Sequence, residues 1–532
     1  MRAMDSTAAP APESSSPRPR IAPAEALLLA SVFVVAACGL VYELATGALA
    51  SYLLGDSVLQ FSSVIGVYLF AMGVGSYLSR HLQHQLVAHF LRVELLVGLI
   101  GGLMPAALFA AHSLLPAAEL GAFRTLLYAL VLLVGTLVGL EIPLVMRILK
   151  DQARRDHARW RLSELVSQVL TFDYLGALLV ALAFPLLLVP QLGLIRTGLA
   201  FGLLNALVAV WALVLFRAEL RAWRSHALAC AGVIAVLVGA FAASDALTSW
   251  SEERFYGEHI LVRESSPYQR IVVSGVHDGV RLYLNGNLQF DSRDEYRYHE
   301  SLVHPAMAAQ GAPRRVLVLG GGDGLAVREI LRYPQVEQVT LVDLDPKMTQ
   351  LFTTLPMLRA LNHDAFHDPK VHVVNDDAFG WLERNSGFYD VIVIDFPDPS
   401  NFSLGKLYTA SFYALVAQHL SESGYAVVQT TSPLIARRSF WTVVTTLESV
   451  GLTATPYHAH VPSFGEWGFV LASRRPWHPP AKLPPGLRFL SVGDMPTLFN
   501  FPLDMARVPT EVNRLSNQVL VREFEEEWGK VR

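Results

Sequence analysis

The stretch VLVLGGGDGLAVREILRYPQVEQVTLVDLDPKMTQL, residues 316–351, decides the fold. It reads as a buried strand, a glycine-rich turn, a helix, and a second strand ending in two acids. That order is the first half of a nucleotide- or nucleoside-binding α/β domain. Asp323 lies inside the glycine turn, where its charge would repel a phosphate. An acid at this spot suits a cationic ligand, such as a sulfonium or an amine.

Downstream, the alternation continues. Strands are expected at 316–320, 338–342, 371–375, 390–395 and 424–431, with helices at 324–333, 346–354, 377–384, 408–420 and 436–449 between and after them. A final strand pair is expected near 453–459 and 467–472. Crossovers at each step imply a mostly parallel sheet. Ligands in such sheets bind at the carboxyl ends of the strands. Asp323, Asp343, Asp377 and Asp395 fall just past four successive strand ends, so they should line one crevice. Upstream, 260–264, 269–274 and 280–284 alternate and carry β-branched residues. With the turn signal at 285–287, they predict a small antiparallel sheet leading into a helix near 296–309.

Further upstream the composition changes. The 532-residue chain is 52% hydrophobic and only 17% charged, and nearly all the apolar excess precedes residue 250. Seven runs near 24–46, 58–78, 91–113, 124–147, 165–189, 192–216 and 226–247 approach the roughly 20 residues a bilayer crossing requires. The first is long and its pattern repeats, so it is not a cleavable signal peptide. Residues 1–23 are Ala/Pro/Ser-rich and are expected to be disordered. Basic residues cluster before the first run, after the fourth and after the sixth, which puts the N-terminus inside. Seven spans would then put the C-terminal half outside, in conflict with a cytosolic nucleoside substrate. Glu43, Glu141 and Asp173 fall within or close to the runs. Such acids either receive a cation such as a polyamine or serve helix–helix hydrogen bonds and span ends. The net charge of -4 gives no case for nucleic acid. The two cysteines, Cys38 and Cys230, exclude a disulfide framework.

Six segments in series carry a family resemblance: SPYQR (266–270), LNGNLQFDSRDEYRYHESLVHPAM (284–307), VLVLGGGDG (316–324), VDLD (342–345), NDDAF (375–379) and DFPDP (395–399). Over roughly 255–475 the chain resembles the spermidine synthases, or polyamine aminopropyltransferases, in their membrane-fused branch. The resemblance implies a multi-pass α-helical membrane domain followed by an α/β domain. The latter would comprise a small antiparallel β subdomain and a Rossmann-like, mostly parallel sheet of the class I methyltransferase type. The expected domains are a disordered segment 1–23, a transmembrane domain 24–247 of about seven helices, a β subdomain 255–310, a catalytic domain 311–475 and an extension 476–532. The implied location is the cell membrane.

The implied reaction moves an aminopropyl group from decarboxylated S-adenosylmethionine to an amine such as putrescine, giving spermidine and 5′-methylthioadenosine. The donor is a co-substrate. No cofactor is tightly bound and no metal is expected. By position, Asp395 matches the proton acceptor and Asp398 its companion. Asp343 matches the acid on the ribose hydroxyls, and Asp377 the contact to the adenine amino group, with Ala378 beside it. Asp323 matches the contact to the donor's aminopropyl amine. Gln269, Tyr298 and His299 match donor and amine positions, and Gly320 and Gly322 belong to the nucleoside turn. Two departures stand out. DFPDP is followed by SNFSLGKLY (400–408), without the Gly-Pro stretch of soluble members. The late tyrosine before a proline is Val461 here, so Glu466 or Trp467 is expected to replace its contact to the amine. His304 and Glu300 are read as structural. Two other readings compete: a polyamine transporter or sensor with a non-catalytic domain, and a methyltransferase, against which Asp323 argues because it would repel a donor carboxylate. The expected partners are a small polyamine, the lipid bilayer and, as in soluble members, further copies of the chain.

Overall fold

The computed structural model describes residues 23–54, 57–115, 120–155 and 162–531. All of the expected disordered segment except residue 23 lies outside these residues, as do Arg18, Arg20, Arg159 and Arg161 of the orientation argument. The described residues fall into two compact units. One draws on 23–46, 64–108 and 120–244, and the other on 47–63, 109–115 and 245–531.

The N-terminal half is helical: α1 (Pro23–Leu54), α2 (Ser57–Leu78), α3 (Leu86–Leu114), α4 (Leu120–Arg155), α5 (Leu162–Ala183), α6 (Val189–Leu215) and α7 (Trp223–Tyr256). Among the described residues, six apolar stretches are long enough to cross a bilayer, and the fifth runs continuously from Val166 to Leu215. That stretch is 50 residues, or about 75 Å of helix at about 1.5 Å per residue, against a hydrocarbon core of about 30 Å. It contains a π-helical turn at Phe184–Leu188, and Gly193 leaves helical geometry with φ 73° and ψ 172°. The sequence reading places two spans here, divided near this glycine. Small residues let the helices of this unit approach closely. A Cβ on Gly75 would sit 2.0 Å from the Thr136 carbonyl, and one on Gly139 would sit 2.1 Å from that of Met72. So α2 and α4 touch backbone to backbone, a packing mode suited to lipid. Leu178, Leu182, Leu186 and Leu228 are all more than half exposed.

The second unit begins its sheets with β1 (His259–Ser265), β2 (Arg270–Val276), β3 (Gly279–Leu284) and β4 (Asn287–Asp291), an antiparallel meander. The fourth strand was not anticipated; the turn at Asn285 and Gly286, both with positive φ, folds it back on β3. Helix α8 (Glu295–Gln310) leads into β5 (Arg315–Gly320), α9 (Leu325–Ile330), β6 (Gln338–Asp343), α10 (Pro346–Thr354), α11 (Pro356–Leu361), β7 (Val371–Asn375) and α12 (Ala378–Arg384). Then come β8 (Tyr389–Asp395), α13 (Phe402–Gly405), α14 (Ala410–His419), β9 (Leu420–Gln429), α15 (Arg437–Ser449), β10 (Thr453–Val461), β11 (Gly465–Ser473) and α16 (Val519–Trp528). The seven-stranded sheet has the order β10-β11-β9-β8-β5-β6-β7. Strands β9 to β7 run parallel, and β11 and β10 are antiparallel. The chain builds outward from β5 in both directions, so the topological switch falls between β5 and β8, where an open sheet holds its ligand. There Gly320 pairs with Asp395.

The tail belongs to this unit. Its helix is α16, and residues before it are used as a strap: the Asn513 amide donates to the Gly405 and Tyr408 carbonyls at 3.3 and 3.0 Å. Glu527 caps α15, accepting from Arg438 N, Ser439 N and Ser439 Oγ at 2.9, 3.1 and 2.7 Å. Truncating Glu527 to alanine strands these donors in a buried place, which costs about 1–3 kcal/mol. Thermal unfolding of the soluble half, followed in detergent, should shift down by several degrees; an unchanged midpoint would show the tail to be dispensable.

Candidate active site

The glycine turn brings three strand ends together. Gly320, Gly321 and Gly324 have φ of 81°, 63° and 76°. A Cβ on Gly320 would lie 2.2 Å from the Asp395 carbonyl oxygen, and Gly321 N donates to that oxygen at 3.1 Å. The turn is thus laid directly on the end of β8. From β6, Asp343 reaches back under it. Its carboxylate accepts from Gly322 N at 3.1 Å and Asp345 N at 2.8 Å. Burial nevertheless pushes Asp343 up to about 7, with nearby Asp345 and Asp323 adding to the rise.

Asp323 is 9% exposed, and its Oδ1 accepts from Leu325 N at 2.9 Å. Burial raises its pKa, opposed in part by His299. Asp395 is pushed up to about 6, first by burial and also by the charge of Asp323; His299 and the Tyr298 hydroxyl pull the other way. Tyr298 donates to Asp395 Oδ1 at 2.6 Å. Three carboxyls thus share one buried crevice; the His299 imidazole acts on Asp323 and Asp395, and Arg328 acts on Asp323.

His299 is held rather than loose. Its Nδ1 lies 2.7 Å from Glu295 Oε2. Arg328 grips the same carboxylate through two nitrogens, both at 2.9 Å. Burial raises Glu295, but His299 and Arg328 outweigh it and hold the acid at about 2. Burial would lower His299, yet Glu295, Asp323 and Asp395 leave it raised. His304 and Glu300 are structural, as read: His304 bridges Tyr333 and Glu329, and Glu300 accepts from Arg488 N, Phe489 N and Leu490 N.

Gln269 reaches the crevice through an acid the sequence reading did not single out. Its Nε2 donates to Asp345 Oδ2 at 2.9 Å, beside the Ser266 hydroxyl at 2.7 Å. The second acid of VDLD and the SPYQ segment are therefore one unit, joined across 76 residues of chain. Asp377 begins α12 with Ala378 buried behind it, and Lys406 Nζ lies 3.0 Å from Asp377 Oδ2. Lys406 comes from the 400–408 insert, which also returns Tyr408 to the DFPDP turn. The Tyr408 hydroxyl donates to the Phe396 and Pro397 carbonyls at 3.3 and 3.1 Å, and the Gln429 amide also donates to Phe396 O. Together they fix the backbone between Asp395 and Asp398. Asp398 lies in electrostatic reach of Tyr298 and Tyr408.

Glu466 and Trp467 part company. Successive residues of β11 point to opposite faces. Trp467 Nε1 donates to Gln429 Oε1 at 3.1 Å, and its ring packs 5.3 Å from Phe464, which in turn meets Tyr298 at 6.3 Å. Glu466 turns to His458 and His460, at 2.8 and 3.0 Å. Of the two expected replacements for the missing tyrosine, only Trp467 joins the Tyr298 wall; Glu466 does not. Ser463, beside them, is pinned to Asp294 through its N and Oγ at 2.7 and 2.9 Å.

An open α/β sheet with buried acids at its switch point defines a nucleoside-type fold equipped for a positively charged ligand. Comparison with known proteins narrows this class. The spermine/spermidine synthase domain matches residues 295–478. Polyamine aminopropyltransferase 1 of Ralstonia nicotianae is 56% identical over 97% of this chain and 98% of its own. Polyamine aminopropyltransferase of Leptospira interrogans is 48% identical over 95% and 99%. A crystal structure of spermidine synthase with the transition state analogue AdoDATO is 26% identical over 46% of this chain and 85% of its own, with a TM-score of 0.43. The chain belongs to the polyamine aminopropyltransferase family and is an aminopropyltransferase.

Gly320→Ala tests the geometry of the turn. It combines a left-handed backbone, worth about 1–3 kcal/mol of strain, with a clash against a carbonyl. Its unfolding midpoint should fall markedly below that of Gly311→Ala, which has the same sign of φ but nothing within 4 Å of its Cβ. Equal effects would mean that the contact with β8 is not close.

Proposed function

We propose that the protein transfers the aminopropyl group of decarboxylated S-adenosylmethionine to a primary amine such as putrescine, from a cell membrane in which its N-terminal helices are embedded. The observation that carries this reading is the crevice of Asp323, Asp343 and Asp395, buried and, among the described residues, only partly offset by His299 and Arg328. The donor supplies positive charge at its sulfonium and its terminal ammonium, and the acceptor supplies more. Asp343 holds the ribose hydroxyls, and the Gly320–Gly322 turn leaves room for the sugar. Asp377, with Ala378, faces the adenine amino group, and Lys406 fixes its carboxylate. Asp323 takes the donor's ammonium, and the Gln269–Asp345 pair supports Asp343 beside it. The bilayer reading rests on the length and apolar surface of the helices.

In the reaction the acceptor nitrogen attacks the carbon next to sulfur. The new C–N bond forms as the C–S bond breaks, and the sulfur leaves with the electron pair as methylthioadenosine. The attacking nitrogen must first give up a proton. Asp395, at about 6, is ionised at neutral pH and strong enough to bind the ammonium and accept or relay that proton. Asp398 assists from the same turn. Tyr298 orients the Asp395 carboxylate, His299 sets the local field, and Trp467 offers an aromatic wall to the amine.

Turnover in detergent, read as methylthioadenosine released with a panel of diamines and polyamines, tests this directly. Asp395→Asn should lose about 10²–10⁴-fold in kcat. No release from the unmodified protein with any amine would overturn the reading. Tyr298→Phe removes a hydrogen bond that favours charged Asp395, so the carboxyl rises above about 6. The acidic limb of the kcat/KM profile should therefore move to higher pH. A limb that stays put, or moves down, would separate Tyr298 from the base.

A further inference from the structure

Inside the helical unit, five helices bring a second set of polar groups together. Helix α1 contributes Cys38 and Tyr42, α2 Tyr68, α3 Glu94, α4 Glu141 and α6 Asn205. The Tyr68 hydroxyl donates to the Gly39 carbonyl at 2.9 Å, and the Cys38 thiol to the Phe201 carbonyl at 3.4 Å, joining α1 to α2 and α6. Gly98 and Gly101 lie four and seven residues past Glu94, on its face of α3. A Cβ on Gly101 would meet the Tyr42 ring at 2.9 Å, and one on Gly98 the Asn205 side chain at 3.1 Å. Gly39 likewise packs on Val138, one turn before Glu141. Glu141 is in electrostatic reach of Glu94, and both carboxyls of Tyr42 and Cys38.

These groups are sealed from solvent. Glu94 and Asn205 are 0% exposed, Tyr42 0% and Glu141 1%. Among the described residues, both Glu94 oxygens, Glu141 Oε1, the Tyr42 hydroxyl and both Asn205 amide atoms lack a hydrogen-bond partner. Among the described residues no Lys, Arg or His offsets either carboxyl. Unsatisfied polar groups inside a bilayer are expensive and persist where they serve a ligand. Two acids relieving each other as a shared-proton pair would satisfy one oxygen of each, yet both Glu94 oxygens are orphaned. The orphans are mostly oxygens, the complement of a group with several N–H donors and a positive charge. A primary ammonium has three such donors and no acceptor, and alkylammonium groups favour aromatic faces such as those of Tyr42 and Tyr68.

We propose that Glu94 and Glu141, with Tyr42 and Asn205, form a second amine-binding site within the helical half, taking the protonated primary amine of an alkyl polyamine. The choice of amine rests on the aminopropyl-transfer reading; the site itself does not. Its test is equilibrium binding of labelled putrescine and spermidine to the full chain in detergent, with the crevice disabled by Asp323→Asn and Asp395→Asn. About one amine per chain should remain bound. Adding Glu94→Gln and Glu141→Gln should weaken that binding at least 10-fold. The milder Tyr42→Phe, which removes one oxygen and little else, should weaken it severalfold. Glu94→Gln with Glu141→Gln in the otherwise intact protein should still release methylthioadenosine, showing that it folds. No amine bound to the crevice-disabled protein, or binding indifferent to the glutamines and to Tyr42→Phe, would overturn the proposal. So would labelled sodium binding there while putrescine fails to displace it, since the site would then belong to an inorganic ion. Loss of turnover in the unmodified protein is a separate readout and would speak against the transferase reading alone.

Discussion

The catalytic half is organised around carboxyls that the fold buries and offsets only in part, through His299 and, for Asp323, Arg328. Asp323, Asp343 and Asp395 stand at the ends of adjacent strands, and burial raises all three. An ionised carboxylate in such a place is costly unless paired. The protein pairs other buried acids fully: Glu295 with Arg328 and His299, Glu329 with Arg328, Arg332 and His304. The contrast is informative, because guanidinium groups were within the reach of this fold and were spent one layer away. What remains uncompensated in the crevice is a demand for positive charge from outside. A sulfonium nucleoside and an amine meet that demand, whereas a phosphate or a carboxylate would add to it.

Rigidity is the other half of the arrangement. Asp395 is fixed from three directions: Gly320 and Gly321 lie against its backbone, Tyr298 binds its side chain, and Tyr408 with Gln429 holds the next two carbonyls. The 400–408 segment takes part in this by sending Tyr408 to the turn and Lys406 to Asp377. The tail then clamps the insert through Asn513. Distant parts of the chain thus converge on holding one carboxylate still, which is what the proposed in-line displacement asks of its base.

Much of this was legible in the sequence, for a local reason. Period-two strands, the glycine turn and acids just beyond each strand placed Asp323, Asp343, Asp377 and Asp395 on one sheet edge without any knowledge of long-range contacts. What escaped depended on such contacts. Lys406 meets Asp377 across a loop, Gln269 meets Asp345 across the β subdomain, and Asn513 returns to Gly405; no spacing rule announces them. Strand β4 hid within a motif-rich run. Glu466 and Trp467 could not be separated until the register of β11 with β10 assigned them to opposite faces. In the helical half, hydropathy found the long apolar helices, but it passed over Glu94, because one acid in an apolar run gives no hint of which neighbours will enclose it.

The central claim is that the crevice is built for positive charge and against negative charge at the donor's end. Calorimetric titration of the unmodified protein with decarboxylated S-adenosylmethionine and with S-adenosylmethionine measures this most directly, since the two differ by a single carboxylate. The account predicts that the decarboxylated nucleoside binds at least about 100-fold more tightly, and that Asp323→Asn narrows the gap. Equal affinity for the two would contradict it.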